Sequence, residues 1–534
     1  MHVWDAVGAE NTKGEYSIIS GRINDIAWDG DSQRVIAVGD GRERFGHAFT
    51  ADSGNSVGEV TGHSKVVNAV SIRQQRPLRA ATVSDDGSMC FLHGAPFKFA
   101  DKASEHKGFV TGTAFSPDGT TLVTVGADRK IQLYDGKTGA PTKTIGDGVH
   151  TGGIYGISWA SDSKRFVTSS ADQTVRVWVA ESGENTETWR FGPEGTVSIP
   201  DQQVGVVWPH GRTDGLIISI NLNGDLNYLV PGNRDPIRVV QGHNKNITAL
   251  GASPDGKALL TGSFEGRVLS WDLATGTGTV VDGQSHSNQV TQFASSASGG
   301  TIYSVGWDDT LRSVDVSANT FTGASTKLSA QPKGVATTSD DKFVVVATHT
   351  GIQVYQGSDF ISELPITFNP TAIAASPSDA SVIALGGDGN TVRIHTLSSS
   401  DGTLSSQPIT VLTTSSAQIS TLSFSRDGKF LAVGNSTGKI VVYKASTWEV
   451  ETDRWSAHTA RVLSIAWNEA GTHAVSGGLD TNVCVWSLAK PGSRTSAPNA
   501  HKDGVNGVAW TEEDTVVSTG VDGAVKVWKV SGLP

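Results

Sequence analysis

Fourteen histidines are spread along this chain, and an imidazole can serve as a metal ligand or as a general acid and base near neutral pH. Half of them share one spacing. His63, His106, His150, His243, His286, His458 and His501 each stand 27 to 29 residues before the end of a short apolar segment, at Leu92, Tyr134, Trp178, Trp271, Val314, Trp486 and Trp528. Between His and terminal residue comes a Ser or Thr, then an acid four residues later, then the terminal residue six further on. The full set is His150, Thr168, Asp172 and Trp178; His458, Ser476, Asp480 and Trp486; His501, Ser518, Asp522 and Trp528. Thr82, Asp86 and Leu92 keep the spacing without the Trp. A His whose partners recur at fixed offsets reads as a strut in a repeated hydrogen-bond network, which supports its element only when every member is satisfied. Metal or cofactor chemistry finds no motif: there is no HExxH, no CxxC pair and no clustered His and acid set.

Two GxSxG matches, Gly54 to Gly58 and Gly434 to Gly438, would suggest an esterase nucleophile only on a strand-to-helix elbow. The first runs into Gly62-His63 and the second reads as a strand-to-strand turn, so neither Ser56 nor Ser436 is expected to act. Gly136-Lys137-Thr138 resembles the end of a phosphate loop, but the leading glycine of that motif would fall at Ile131, within a strand; a hairpin turn is the better reading. Paired acids at Asp85-Asp86, Asp308-Asp309 and Asp340-Asp341 could do acid–base work in a shared pocket. Asp86 and Asp308 instead take the repeat's acid position, which leaves Asp85 as a solvent-facing rim residue available to a partner. The chain is expected not to be an enzyme.

The elements that must hold these residues are set by the repeat. Apolar segments ending near Trp4, Phe49, Leu92, Tyr134, Trp178, Tyr228, Trp271, Val314, Tyr355, Ile394, Tyr443, Trp486 and Trp528 recur about every 44 residues, the period of a four-stranded WD40 propeller blade. The fold class expected is all-β, with tandem seven-bladed WD40 β-propellers. Seven blades fit within residues 236–534, enough to close one ring. Residues 1–235 hold about five full blades and one extra strand near Trp4, an incomplete N-terminal propeller. Pro231 to Pro236 reads as the linker, Arg190 to Gln203 as a loop insertion, and the Ser/Thr-rich stretch at 397–417 as an extended blade loop.

Composition limits the partners. Of 534 residues 18% are charged, against about 25% in ordinary soluble domains, and 62 glycines call for frequent turns. The net charge of −11, with no block of five Lys or Arg, argues against nucleic acid. Two cysteines, Cys90 and Cys484, are too few to staple this length, so the chain reads as cytosolic. No signal peptide is seen at MHVWDAVGAE, and no apolar run reaches the ~18 residues of a membrane span.

Longer motifs carry a resemblance. DSGNSVGEVTGH, RPLRAATVSDDGS and GAPFKF between Asp52 and Phe99, then SADQTVRVW, QQVGVV, GHNKNITAL, GWDDTLRSVD and NAHKDGVNGVAW, spread over the whole length. The chain resembles the actin-interacting protein 1 family of tandem WD40 proteins, whose members carry a further N-terminal segment of nearly two blades. The resemblance implies a protein without cofactors that binds actin filaments and cofilin/ADF as a monomer, promotes disassembly of cofilin-decorated filaments and limits barbed-end regrowth. It also implies a place in the cytoplasm at cortical actin structures. Carried over by motif, the partner-binding residues are Asp40 and Glu43 in GDGRERFG, where relatives commonly have Glu at the position of Asp40; Asp85 in SDDGS; and Phe97, Lys98 and Phe99 in APFKF. An exposed aromatic beside a charge has the composition of an interface anchor, while one of the two Phe is expected to pack between blades. The net negative charge suits a partly basic cofilin face. The rival readings are a WD40 scaffold or substrate receptor of another assembly, which fold alone does not separate, and a metal hydrolase in the central channel, which no residue set supports.

Overall fold

The structure is a computed structural model that describes residues 2–4, 12–17, 19–192 and 195–532, and among them there is no helix. It divides into two compact units, Met1–Val240 and Gln241–Pro534. The first holds four-stranded antiparallel sheets over residues 23–59, 67–103, 110–145, 154–190 and 203–240, preceded by a two-stranded ladder of His2–Trp4 with Thr12–Glu15. The second holds four-stranded sheets over 247–280, 290–327, 332–365, 370–412, 419–455 and 462–497 and a three-stranded sheet over 505–529. The chain is all-β, built of WD40-type blades in tandem.

Each sheet is a meander, and burial follows strand position. Second strands such as Arg34–Gly39 (RVIAVG) and Arg79–Ser84 (RAATVS) are buried almost throughout, because neighbouring blades cover both faces. Such a strand reads as a near-continuous run of small and apolar residues, not as an alternation. Fourth strands such as Lys98–Ala103 (KFADKA) lie at the rim and are mostly exposed.

Inner strands are tied blade to blade by the side chain of their second residue. Asn24 Nδ2 donates to Val67 O at 3.0 Å, Asn68 Nδ2 to Val110 O at 2.9 Å and Ser420 Oγ to Val462 O at 2.6 Å. In the second unit the same bond closes the circle, with Asn506 Nδ2 donating to Ile247 O at 2.6 Å. Leu259, Ala509 and Val517, with Leu250 beside them, then form one cluster between the last blade and the first. Seven sheets in a closed ring leave only short, protected inner edges.

The stretch Pro231 to Pro236, expected as a linker, instead joins Leu226–Leu229 to Arg238–Val240, two paired strands of one sheet. The chain leaves the first unit after that outer strand, at Val240, because the repeat's terminal aromatic closes the third strand and a fourth still follows.

Candidate partner-binding site

The frame on which any surface residue rests is the repeated network. His150 Nδ1 lies 2.8 Å from Asp172 Oδ2, His150 Nε2 lies 2.9 Å from Thr168 Oγ1, and Trp178 Nε1 donates to the same hydroxyl at 2.8 Å. A carboxylate can only accept, so Nδ1 carries the proton, Nε2 accepts from the hydroxyl, and one orientation satisfies all four groups. His458 with Asp480, Ser476 and Trp486, at 2.9, 2.7 and 2.7 Å, and His501 with Asp522, Ser518 and Trp528, at 2.8, 2.8 and 2.7 Å, repeat it. Burial alone would raise the Asp172 carboxyl, but hydrogen bonds from His150, Thr174 and the Thr151 amide hold it well below the usual carboxylate range.

In the blade over 67–103 the tetrad is varied. His63 Nε2 lies 2.9 Å from Thr82 Oγ1, and its Nδ1 is 3.4 Å from Asp86 Oδ2 and 3.7 Å from Cys90 Sγ. Leu92 takes the Trp position, so the hydroxyl gains no indole donor. Asp86 also accepts from Ser88, from the Ser64 amide and from Lys102. Against a burial penalty, these bonds hold its carboxyl well below the ordinary range.

Asp40 and Asp85 occupy one position in successive blades: the residue after the second strand, whose amide reaches the carbonyl just ahead of the inner strand. Asp40 N donates to Arg22 O at 3.0 Å and Asp85 N to Val66 O at 3.0 Å. Ala127, Ala171 and Leu222 make the same bond to Phe109, Gly153 and Gln202 in the blades that follow. Both acids therefore face the same end of their blades, and exposed Glu43 lies in the turn that follows Asp40. The Asp40 carboxylate also accepts from the Arg22 amide, with Arg22 Nε 3.9 Å away. Asp85 departs from the sequence reading. It is half-buried, and its Oδ1 accepts from Asn68 Nδ2 at 2.7 Å, the amide that also ties Val110 of the next blade.

The three residues of the Phe-Lys-Phe segment divide. Phe97 is 1% exposed and belongs to the core cluster with Ile36, Val38, Val60 and Leu92. Its amide donates to Val57 O at 2.7 Å, drawing the chain against the preceding blade before the outer strand begins. A ring packed between blades presents no surface, so Phe97 is corrected from partner contact to inter-blade core. Lys98 is exposed, and Phe99, paired with Leu92, is 45% exposed.

Comparison with known proteins places this arrangement in a family. The family model described as WD domain, G-beta repeat matches residues 99–135, 140–179, 234–272 and 492–529, and that of the anaphase-promoting complex subunit 4 WD40 domain matches 376–470. An uncharacterised WD repeat-containing protein of Schizosaccharomyces pombe is 44% identical over 99% of this chain and 86% of its own length. Actin-interacting protein 1 of Drosophila melanogaster is 37% identical over 100% of this chain and 86% of its own length. This chain belongs to the actin-interacting protein 1 family. WD repeat-containing protein 1 of Gallus gallus, 36% identical over 99% of the chain and 86% of its own length, is a further member.

On this member of the actin-interacting protein 1 family the structure adds residues that sequence reasoning missed. Phe109 is 51% exposed just before Val110, the residue whose carbonyl Asn68 holds while also holding Asp85, and Lys65 Nζ stands 5.9 Å from the Phe109 ring centroid. The signal was present: the position ahead of the inner strand is Arg22, Val66, Gly153 or Gln202 in the other blades of this unit, and a large aromatic there has no core to enter. Exposed rings at Phe99 and Phe109 and acids at Asp40, Glu43 and Asp85 are the residue types from which the anchors and rim of a partner surface are built.

Proposed function

We propose that this protein binds actin filaments decorated with cofilin through its first unit, promotes their disassembly and limits regrowth at barbed ends. It acts as a monomer in the cytoplasm at cortical actin structures, and consumes no substrate. The observation that carries this reading is the coincidence of similarity along the whole of this chain, and 86% of the relative's length, to a protein named actin-interacting protein 1 with a half-exposed Phe99, at the carried-over position, on a blade of ordered acids. Asp40, Glu43, Asp85, Lys98 and Phe99 are the contact residues, joined by Phe109. Catalysis has no place in it: Ser56 begins a rim strand, Ser436 follows a strand end, and Lys137 lies in a hairpin turn whose amides Asp135 caps.

The test is single-filament microscopy with the purified protein. Filaments carrying cofilin are expected to sever and shorten faster when the protein is added, and bare filaments to be unaffected. Equal behaviour of cofilin-decorated filaments with and without the protein contradicts the proposal.

A further inference from the structure

The rim strand that carries Phe99 is fastened at both ends, and the second fastening is a single ammonium group. In the ladder between Met89–His93 and Lys98–Ala103, Phe99 lies opposite Leu92 and Lys102 opposite Cys90. Leu92 and Cys90 are two residues apart and share a face. Phe99 and Lys102 are three apart and would point to opposite faces of a regular strand; the bulge between Phe99 and Asp101 brings them to the same one. On that face Lys102 Nζ donates to Gly62 O at 2.9 Å and to Asp86 Oδ2 at 3.1 Å. Gly62 lies against the ring: a β-carbon there would fall 2.6 Å from Phe99 Cε2 and 2.9 Å from Cys90 Sγ, and its φ of +99° suits glycine alone.

We propose that Lys102 is a positioning residue for Phe99, holding the strand beyond the bulge to the Gly62 carbonyl and the Asp86 carboxylate so that the ring keeps one orientation on the partner-binding face. This rests on the reading of Phe99 as a contact residue. The strand is paired on one side only and is exposed from Lys98 to Lys102. Its start is fixed by the Phe97 amide on Val57 O and the Phe97 ring in the core. Without the ammonium its far end would keep its ladder bonds and the packing of Ala103 against the cluster of Met89 and Phe91, while the exposed stretch between Lys98 and Lys102 would lose its side-chain fastening, and edge elements of this kind open most readily. A ring that wanders before binding must be ordered during it, which lowers affinity without removing any contact.

The experiment uses the full chain labelled with fluorophenylalanine; it contains 17 Phe, and the Phe99 resonance is assigned by its loss in Phe99→Leu. Lys102→Met keeps the aliphatic stem and removes the charge. In that variant the Phe99 resonance is expected to move and narrow while the Phe97 resonance stays, and Lys102→Arg is expected to restore it. Binding to cofilin-decorated filaments should weaken roughly tenfold in Lys102→Met, with no further loss when Lys102→Met is added to Phe99→Ala. Should Lys102→Met fail to fold, Lys102→Leu, which likewise has no donor for Gly62 O, reads the same resonance. An unmoved Phe99 resonance in the folded variant, or a loss of binding that adds in full to that of Phe99→Ala, overturns the proposal. Wild-type binding by Phe99→Ala sinks the contact reading itself, while the shift of the resonance still decides by itself whether Lys102 fastens the strand.

Discussion

Replacing Glu265 by Asp repairs a tetrad that departs from the rule at its acid position. His243 Nε2 lies 2.7 Å from Thr261 Oγ1, and Trp271 Nε1 donates to the same hydroxyl at 2.6 Å. The acid position, four residues after Thr261, holds Glu265, whose side chain is 50% exposed and stands 3.8 Å from Lys245 Nζ; Asp480 at the equivalent position is 4% exposed. His243 Nδ1 is left buried without a partner. Burial, aided by Arg267, pushes this imidazole down to about 3 from an ordinary value near 6.5. An orphaned buried polar atom costs about 1–3 kcal/mol, so Glu265→Asp, with a carboxylate short enough to meet Nδ1, is expected to stabilise the second unit by about that much. The pH dependence carries the sharper signature. A base whose folded value is depressed is protonated more readily when unfolded, so its contribution is full above about pH 6.5 and is lost as pH falls toward 3, at about 1.4 kcal/mol per unit. By pH 5 the loss is roughly 2 kcal/mol. Urea unfolding of the full chain at pH 7.5 and pH 5 measures both, and Glu265→Asp should raise the midpoint and flatten the slope between those values. An unchanged midpoint with an unchanged slope refutes the reasoning.

Three further outcomes follow from the same geometry. Phe97→Ala, which empties an inter-blade site, should cost about 3–5 kcal/mol, whereas Phe99→Ala should leave the melting temperature nearly unmoved and weaken filament binding by about 1 kcal/mol or more; equal melting temperatures for the two variants contradict the division. Asp86→Ala should lower stability by about 1–3 kcal/mol through orphaned donors and, by releasing Lys102, weaken binding as well, whereas Asp85→Ala should cost only about 1 kcal/mol of stability through Asn68 and weaken binding through its own lost contact; thermal melting beside co-sedimentation reads both. Burial pushes the Cys90 and Cys484 thiols up to about 12, so native protein should resist iodoacetamide at pH 8 and denatured protein should react, as mass spectrometry reads.

What the sequence could reveal depended on how local the cause was. The His–Ser/Thr–Asp–Trp spacing is legible because each offset counts residues along one meander: three strands and the turns between them bring His150, Thr168, Asp172 and Trp178 together wherever the repeat is written. That one of Phe97 and Phe99 packs between blades was expected, but which of them does was not legible. Two residues apart, they should share a face if both lay in one strand. Phe97 precedes that strand and is held by Val57 and Gly58 of another blade, so the alternation does not reach it. The half-burial of Asp85 was hidden for a similar reason, since its partner Asn68 lies 17 residues away on the inner strand and serves the next blade as well. The Glu265 departure could be seen in the letters, yet its consequence, an unpartnered His243 Nδ1, needed the side chain's actual path.

Co-sedimentation with actin filaments, with and without saturating cofilin, tests the central claim most directly. The protein is expected to pellet with cofilin-decorated filaments, to stay largely in the supernatant with bare ones, and to lose the cofilin-dependent fraction in Phe99→Ala at an unchanged melting temperature. Equal pelleting with and without cofilin, or none in either case, contradicts that claim.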